Sequence, residues 1–258
     1  MQLFGFEISR KKDEKALPSV VPPSTLDGST VVNTGVNAGG HYGMVMDLDA
    51  SVKNENDLIR RYREVSQYSD CDMAIEDIVN EAIVADEAKH PIEIVLDDLK
   101  VSAGIKARIT DEFDEVLRLL KFNDRAHEVF RQWYVDGRLY YQILFDENDV
   151  KAGIHELRYI DPRKIRKIKS VHKEKTPQGV DIVKTKEEFY LFNDKGITEQ
   201  STAGIKMPLD SVVHCPSGMV DMNSGMMMSH LHKAIKPTNQ LKMIEDSLVI
   251  YRISRAPE

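Results

Sequence analysis

The chain has only two cysteines among its 258 residues, Cys71 and Cys215. They are widely separated and neither belongs to a CxxC pair. A disulfide framework and a zinc ribbon are therefore excluded, and both read as free thiols of a reducing compartment. Long apolar runs are also missing. No stretch reaches the roughly 18 residues of a membrane span, and the opening MQLFGFEISRKKDEK lacks an apolar core of signal-peptide length. Neither GxxxxGK[ST] nor GxGxxG occurs, so no glycine loop cradles a phosphate, and there is no GxSxG nucleophile elbow. Positive charge is short as well. Lys plus Arg is 35 against 42 Asp plus Glu, a net charge of -7. Proteins that wrap nucleic acid tightly carry a basic excess or a strong basic patch. Tight general DNA binding is not expected here, whereas an acidic surface past which DNA slides is allowed.

What the chain does have is enough apolar material, 41% of residues, to bury a substantial core in one large domain or two small ones. Residues 1–57 read as an N-terminal arm. Pro18, Pro22 and Pro23 cluster there, followed by Gly28, Gly35, Gly39, Gly40 and Gly43. Such a stretch offers little periodic apolar surface. Ordering on a partner and a plain disordered terminus are equally compatible with it.

Helical periodicity then begins. Asn54 or Asn56 is placed to cap a helix through Leu58, Ile59, Tyr62, Val65 and Tyr68. A second helix is predicted over 72–85, with Ile75, Ile78, Val79, Ala82 and Ile83 at helical spacing. Residues 92–96 alternate like a strand. Ser102 is placed to cap a long amphipathic helix carrying Ile105, Ile109, Phe113, Val116, Leu117 and Leu120. Another helix is predicted over 123–136, closed by Gly137. From Arg138 strand formers dominate, with strands expected at 139–145, 154–160, 164–172, 180–185, 187–193 and 211–215. Helices return at 224–235 and, after a break at Lys236-Pro237, from Pro237 onward. That last helix places Leu241, Ile244, Leu248 and Tyr251 on one face. The fold class is α+β: a helical section, a small antiparallel sheet and a long terminal helix.

Candidate chemistry is sparse. Asp70-Cys71-Asp72 is a DxD triplet, a pattern that can hold a divalent cation. At a helix start, however, the dipole and capping account for acidic residues without a ligand. His230 and His232 are two apart and so point to different helix faces, while metal pairs on helices sit at i, i+4. His214-Cys215 adds no further ligand spacing. Asp97-Asp98 and Glu187-Glu188 read as solvated surface. Met226-Met227-Met228 reads first as core filling and second as an adaptable interface. One basic stretch stands out: Arg163, Lys164, Arg166, Lys167 and Lys169, followed by Lys173 and Lys175. It suits a solvated edge or an inter-subunit salt-bridge surface first and contact with phosphate second, without the interleaved aromatics of single-strand binding. No catalytic, cofactor or metal site is expected.

Four segments carry a resemblance: RYREVSQYSDCDMAIEDIVNEAIV (61–84), RQWYVDGRLYYQI (131–143), ELRYIDPRKIRKI (156–168) and HLHKAIKPTNQLKMIEDSLVIYRISRAPE (230–258). They resemble the portal proteins, or head–tail connectors, of large contractile-tailed bacteriophages. The resemblance implies a homo-oligomeric ring, a dodecamer, at one capsid vertex of the virion, assembled in the host cytoplasm. Family members nucleate head assembly with major capsid and scaffold proteins. They dock the terminase large subunit, pass double-stranded DNA inward and outward, and hold neck proteins. On that pattern residues 58–235 would be a wing-like domain and 236–258 the start of a first stem helix. Leu241, Ile244, Leu248 and Tyr251 would then be the ring-packing face. The clip, second stem helix and crown have no counterpart in this sequence, which reads as the front portion of such a protein. Two alternatives have different signatures. A monomeric adaptor would use the arm to bind a partner. A metal-dependent transferase or nuclease would use Asp70, Asp72 and Glu76.

Overall fold

The computed structural model describes residues 2–3, 6–7, 19, 21, 23–33, 49–84, 91–146, 153–175, 181–197, 204–221 and 226–255. The N-terminal strands are β1 (Gln2–Leu3), β2 (Phe6–Glu7) and β3 (Thr30–Asn33). Four helices follow: α1 (Asp49–Ser66), α2 (Ser69–Ala82), α3 (Ala103–Leu120) and α4 (Phe122–Asp136). Six strands come next: β4 (Arg138–Phe145), β5 (Ile154–Ile160), β6 (Ile165–Lys175), β7 (Asp181–Phe192), β8 (Ile205–Met207) and β9 (Val212–Pro216). A 3-10 turn, His230–Ala234, leads into α5 (Ile235–Ser254). The class is α+β.

The strands form two main sheets. One is antiparallel, in the order β5-β4-β9; the other is mixed, in the order β3-β6-β7-β8, with β3 parallel to β6. The first packs on the second through Tyr140, Ile160, Ile165, Tyr190, Met207 and Val212. Val32, Ile168, Phe189, Leu191 and Ile197 form a further cluster in the mixed sheet. The helices have their own cores. Tyr62, Ile75, Val79 and Val135 close on Leu231, and Ile83, Leu117, Phe122 and Ala126 join α3 to α4.

Several sequence expectations change. Helix α1 begins at Asp49, so Asn54 and Asn56 lie inside it rather than at its N-terminal boundary. Residues 92–96 form no strand: among the described residues none pairs with them, and Val95 is left exposed. The two strands expected at 180–185 and 187–193 are one strand, β7. Ser170 pairs with Glu187 and Val171 with Thr185, so Lys186 is the extra residue of a bulge. A bulge shifts side-chain alternation by one, which is why the sequence reads as two strands. The helix expected at 224–235 is only the 3-10 turn in its described part, its Ser229 Oγ accepting from Leu231 N. Helix α5 starts at Ile235 and runs through Pro237, which sits in the first turn where a missing N–H removes no helical bond. Within the stretch read as an arm, Thr30–Asn33 is an edge strand of the mixed sheet, paired with residues more than a hundred positions away.

Gly137 closes α4 as anticipated. Its φ is 71° and its N–H donates to Trp133 O at 2.9 Å. A Cβ there would meet Met228 O at 2.6 Å and Ser229 Cα at 2.8 Å. Only glycine meets both demands, because backbone, unlike a side-chain tip, cannot swing aside. Gly137→Ala is expected to cost about 1–3 kcal/mol of unfolding free energy, read from urea melts.

Candidate functional site

Helix α5 leaves the body along a polar line. Tyr68, in the turn between α1 and α2, donates its hydroxyl to both Glu245 carboxylate oxygens at 2.9 Å. The Lys242 ammonium lies over the Tyr68 ring, 5.4 Å from its centre. Cys71 Sγ is 3.5 Å from Thr238 Oγ1, and Thr238 is buried. These contacts recur at i, i+4 and i+7, so they form one stripe of the helix. At about 100° per residue the stripe is flanked on both sides by apolar residues: Leu241, Ile244, Leu248 and Tyr251 on one flank, Met243, Ile250 and Ile253 on the other. Leu241, Ile244, Leu248 and Tyr251 thus share one side of the helix, and Met243, Ile250 and Ile253 share another. Ile244, Leu248 and Tyr251 are 63%, 52% and 54% exposed, and Met243, Ile250 and Ile253 are 69%, 66% and 71% exposed. A soluble surface helix normally turns its apolar stripe inward. Here the inward stripe is polar and the apolar flanks face out.

The basic stretch is placed quite differently from a free cationic face. Arg163 pairs with Asp161 at 2.8 Å and Lys164 with Asp194 at 2.8 Å. Lys167 and Lys169 share Asp27, at 2.6 and 3.0 Å. Arg166 is fully buried, with Nε 2.8 Å from Glu55 Oε2. Each of the five thus has a carboxylate within its own chain, and Arg166 is out of reach of solvent. The side chains of Lys173 and Lys175 lie outside the described residues.

Arg166 belongs to a buried charge cluster. Glu55 of α1 faces Arg166 of β6 and Arg138 of β4, the latter at 3.5 Å. Arg138 donates to Met227 O at 2.6 Å, and Arg166 donates to Pro162 O at 2.7 Å and Ile165 O at 3.0 Å. The Asn56 side chain accepts from Arg166 and donates to Ile197 O. Glu55 Oε2 and both Nε atoms lack aligned hydrogen-bond partners, so the 2.8 Å contact is an ion contact off the N–H direction. Burial pushes the Arg166 guanidinium below its ordinary value; Glu55 pulls it back and Arg138 adds to the drop. A second cluster lies nearby. Arg63 holds Asp136 through two bonds of 2.9 and 2.7 Å and reaches Asp161 at 3.2 Å.

The remaining sequence candidates are dispersed. Asp70 and Asp72 occupy the first turn of α2, and Asp72 pairs with Arg131. His230 stacks on Tyr134 at 4.9 Å, and His232 Nδ1 is 2.8 Å from the Tyr62 hydroxyl. His214 stacks on Tyr140 at 4.4 Å. Burial, with Arg138 and Lys167 adding to it, holds His214 down at about 4. Among the described residues no group of three or more His, Cys, Asp or Glu side chains is placed to hold a metal ion. Met227 is fully buried, so the methionine cluster supplies core at that position. The sequence reading missed Glu55, Asp27 and Tyr68. Glu55 carried one signal: it stands four and seven residues before Ile59 and Tyr62, on the buried stripe of α1.

Such an arrangement has the parts of an assembly subunit rather than of a small-molecule site: a braced body and a projecting helix with two bare apolar flanks. The family profile described as "Bacteriophage T4-like portal protein (Gp20)" matches residues 55–258. The chain belongs to that family, the portal proteins of T4-like phages. It is similar to the "Portal protein" of Vibrio phage KVP40, 34% identical over 262 residues, covering 96% of this chain and 50% of the relative. It is also similar to the "Portal protein" of Salmonella phage ViI, 30% identical over 269 residues, covering 98% of this chain and 47% of the relative. The chain therefore spans about half the length of these curated relatives.

Two measurements test the charge clusters. Glu55→Gln leaves two buried guanidiniums facing each other, and unfolding free energy is expected to fall by about 3–5 kcal/mol; an unchanged urea midpoint would remove the cluster from the fold's supports. The second concerns acid. Burial pushes the Asp27 carboxyl up, but Lys167, Ser29 and Lys169 outweigh it and hold it well below the usual carboxylate range. A depressed folded-state value means stability is fully present above the unfolded value, about 4, and is lost as pH falls below it. Asp27→Asn is expected to flatten the stability-against-pH curve below about pH 4 while the wild type keeps its slope.

Proposed function

We propose that the protein is a subunit of the portal ring at one vertex of a phage capsid, in which residues 58–235 act as wing and 236–258 begin a stem helix. The observation that carries this reading, beside family membership, is α5: one polar stripe to its own body, two apolar flanks outward. A subunit in a closed ring has two neighbours and meets them through two different faces. The flank of Leu241, Ile244, Leu248 and Tyr251 meets one neighbour and the Met243, Ile250 and Ile253 flank the other. The ring is a dodecamer.

In this reading the ring nucleates head assembly in the host cytoplasm with major capsid and scaffold proteins. It docks the terminase large subunit during packaging, then the neck proteins, and serves as the conduit for packaging and ejection of double-stranded DNA. The charge pattern supports a conduit rather than a grip. The chain carries a net charge of -7, and the five cations from Arg163 to Lys169 are paired with carboxylates of the same chain. DNA then meets a wall with little phosphate affinity. The chain's part is structural rather than enzymatic.

Ile244→Asp combined with Leu248→Asp in the full-length protein is the direct test. Both side chains are more than half exposed, so the circular-dichroism melt of the subunit should stay within a few degrees of wild type. Sedimentation should shift from ring to monomer. Rings of wild-type size from the double variant would remove α5 from the interface, and a wild-type protein that stays monomeric in negative-stain images would sink the portal reading itself.

A further inference from the structure

Helix α2 has two unlike faces. Ile75, Val79 and Ile83, the last at its C-cap, turn inward and are buried. At about 100° per residue the opposite stripe runs through Asp70, Met73, Asp77, Glu81 and Val84, and all five are exposed. Met73 and Val84 are 62% and 65% exposed. Charge on this stripe has one sign. Among the described residues from Ser69 to Leu99 there is no Lys or Arg. Asp70, Asp77 and Glu81 have no ion-pair partner among the described residues. Asp77 and Glu81 stand at i, i+4, where like charges work against the helix. Helix α5 carries the opposite arrangement. Arg252 and Arg255 stand at i, i+3, are exposed, and face no carboxylate among the described residues. Arg255 lies over the Tyr251 ring, 4.7 Å from its centre. Both arginines border the flank of Leu241, Ile244, Leu248 and Tyr251, each one turn beyond one of its last two members. The charged residue among Met243, Ile250 and Ile253 on the other flank is Asp246.

We propose that the arginine-bordered flank of α5 docks on the acidic stripe of α2 in the adjacent copy of this chain. Charge complementarity carries the assignment. One exposed helix face holds carboxylates one turn apart, and another holds guanidiniums one turn apart. Each pair repels itself, and each is what the other lacks. The two faces also match in length: Asp70 to Val84 and Leu241 to Arg255 both span about 21 Å of helix. Laid together, they set Arg252 and Arg255 against acidic side chains and cover Met73 and Val84 with the apolar part of the flank. The result is an apolar strip with a charged border. A single chain does not make this contact. Its own α2 and α5 meet near the start of each, where Cys71 Sγ is 3.5 Å from Thr238 Oγ1. Arg252 lies about 21 Å further along α5, and among the described residues no ion pair joins the two helices. The docking surfaces are two different patches of one chain, so the contact is heterologous, the kind that closes a ring when repeated. Opposite charges also fix which flank of α5 meets which neighbour, because the flank with Asp246 would be repelled by the same stripe.

The proposal rests on the ring reading above, and two charge-reversed variants of the full-length protein separate the two. One carries Asp77→Lys with Glu81→Lys, the other Arg252→Glu with Arg255→Glu. All four side chains are exposed, so the circular-dichroism melt of each variant should stay within a few degrees of wild type. Either variant alone sets like charges against each other at every junction. Each should sediment as monomer under conditions where the wild type forms rings. In an equal mixture the reversed stripe of one variant meets the reversed flank of the other, and the two unaltered surfaces meet as before. Rings should then return with the variants alternating, and native mass spectrometry should count equal numbers of each. Wild-type yields of rings from either variant alone would overturn the docking and leave the portal reading standing. So would a mixture that stays monomeric while the wild type assembles. A wild-type protein that forms no rings would overturn both.

Discussion

Two sheets and a helical layer meet at one buried carboxylate. Glu55 reaches down from α1 between Arg138 of β4 and Arg166 of β6, so the three layers share a single negative charge. Two arginines to one glutamate leave the cluster one positive charge in excess, and burial makes every unpaired donor there costly. Backbone carbonyls of Met227, Pro162 and Ile165 take up some of the other donors, while both Nε atoms keep no aligned partner. The irregular segment before the 3-10 turn is thereby tied to β4, and the turn after β5 to β6. An apolar cluster of the same volume would hold the layers together too. It would not specify which strand meets which helix as tightly, since hydrophobic contact has no direction and a hydrogen-bonded guanidinium does.

That rigid junction gives α5 something to project from. The helix is 20 residues long, about 30 Å, and touches its body chiefly through its first half. Its body-facing stripe is made of Thr238, Lys242 and Glu245, groups whose bonds are local and geometric. The apolar flanks contribute almost nothing to the isolated subunit. Their burial has to come from outside the described residues, and burying several large side chains at roughly 1.5–3 kcal/mol each would be a substantial driving force for whatever covers them. The contacts that hold the helix to its body and the flanks left open thus lie on different sides of the same helix.

Charge is handled by the same economy. Arg163, Lys164, Arg166, Lys167 and Lys169 run almost consecutively, yet each is answered by a carboxylate: Arg163 by Asp161 two residues before it, the others by Asp194, Glu55 and Asp27 brought in from elsewhere. Asp27 answers two of them and in doing so fastens the N-terminal segment to the sheet. What reads along the chain as a basic patch is, in three dimensions, a set of ties. The described part of this stretch, Arg163 to Lys169, is accordingly poor in free cations.

By itself the sequence determined what local physics determines. Helical periodicity placed α2, α3 and α4 to within a few residues; β4 and β5 followed from strand formers between turns; and Gly137 announced the end of α4 because a left-handed cap asks for glycine. Portal character was legible in the segments at 61–84, 131–143, 156–168 and 230–258. Tertiary structure alone decided the rest. That Thr30–Asn33 is a strand depends on β6, more than a hundred residues later. That β7 is one strand depends on a bulge at Lys186, which breaks the alternation by which strands are read. Arg166 looks in sequence like the other cations of its stretch and is fully buried where Glu55 and Asn56 receive it. The direction of each flank of α5 follows from Tyr68, which fixes which stripe turns inward. In each case the deciding partner lies far along the chain, and a pattern confined to neighbouring residues carries no record of it.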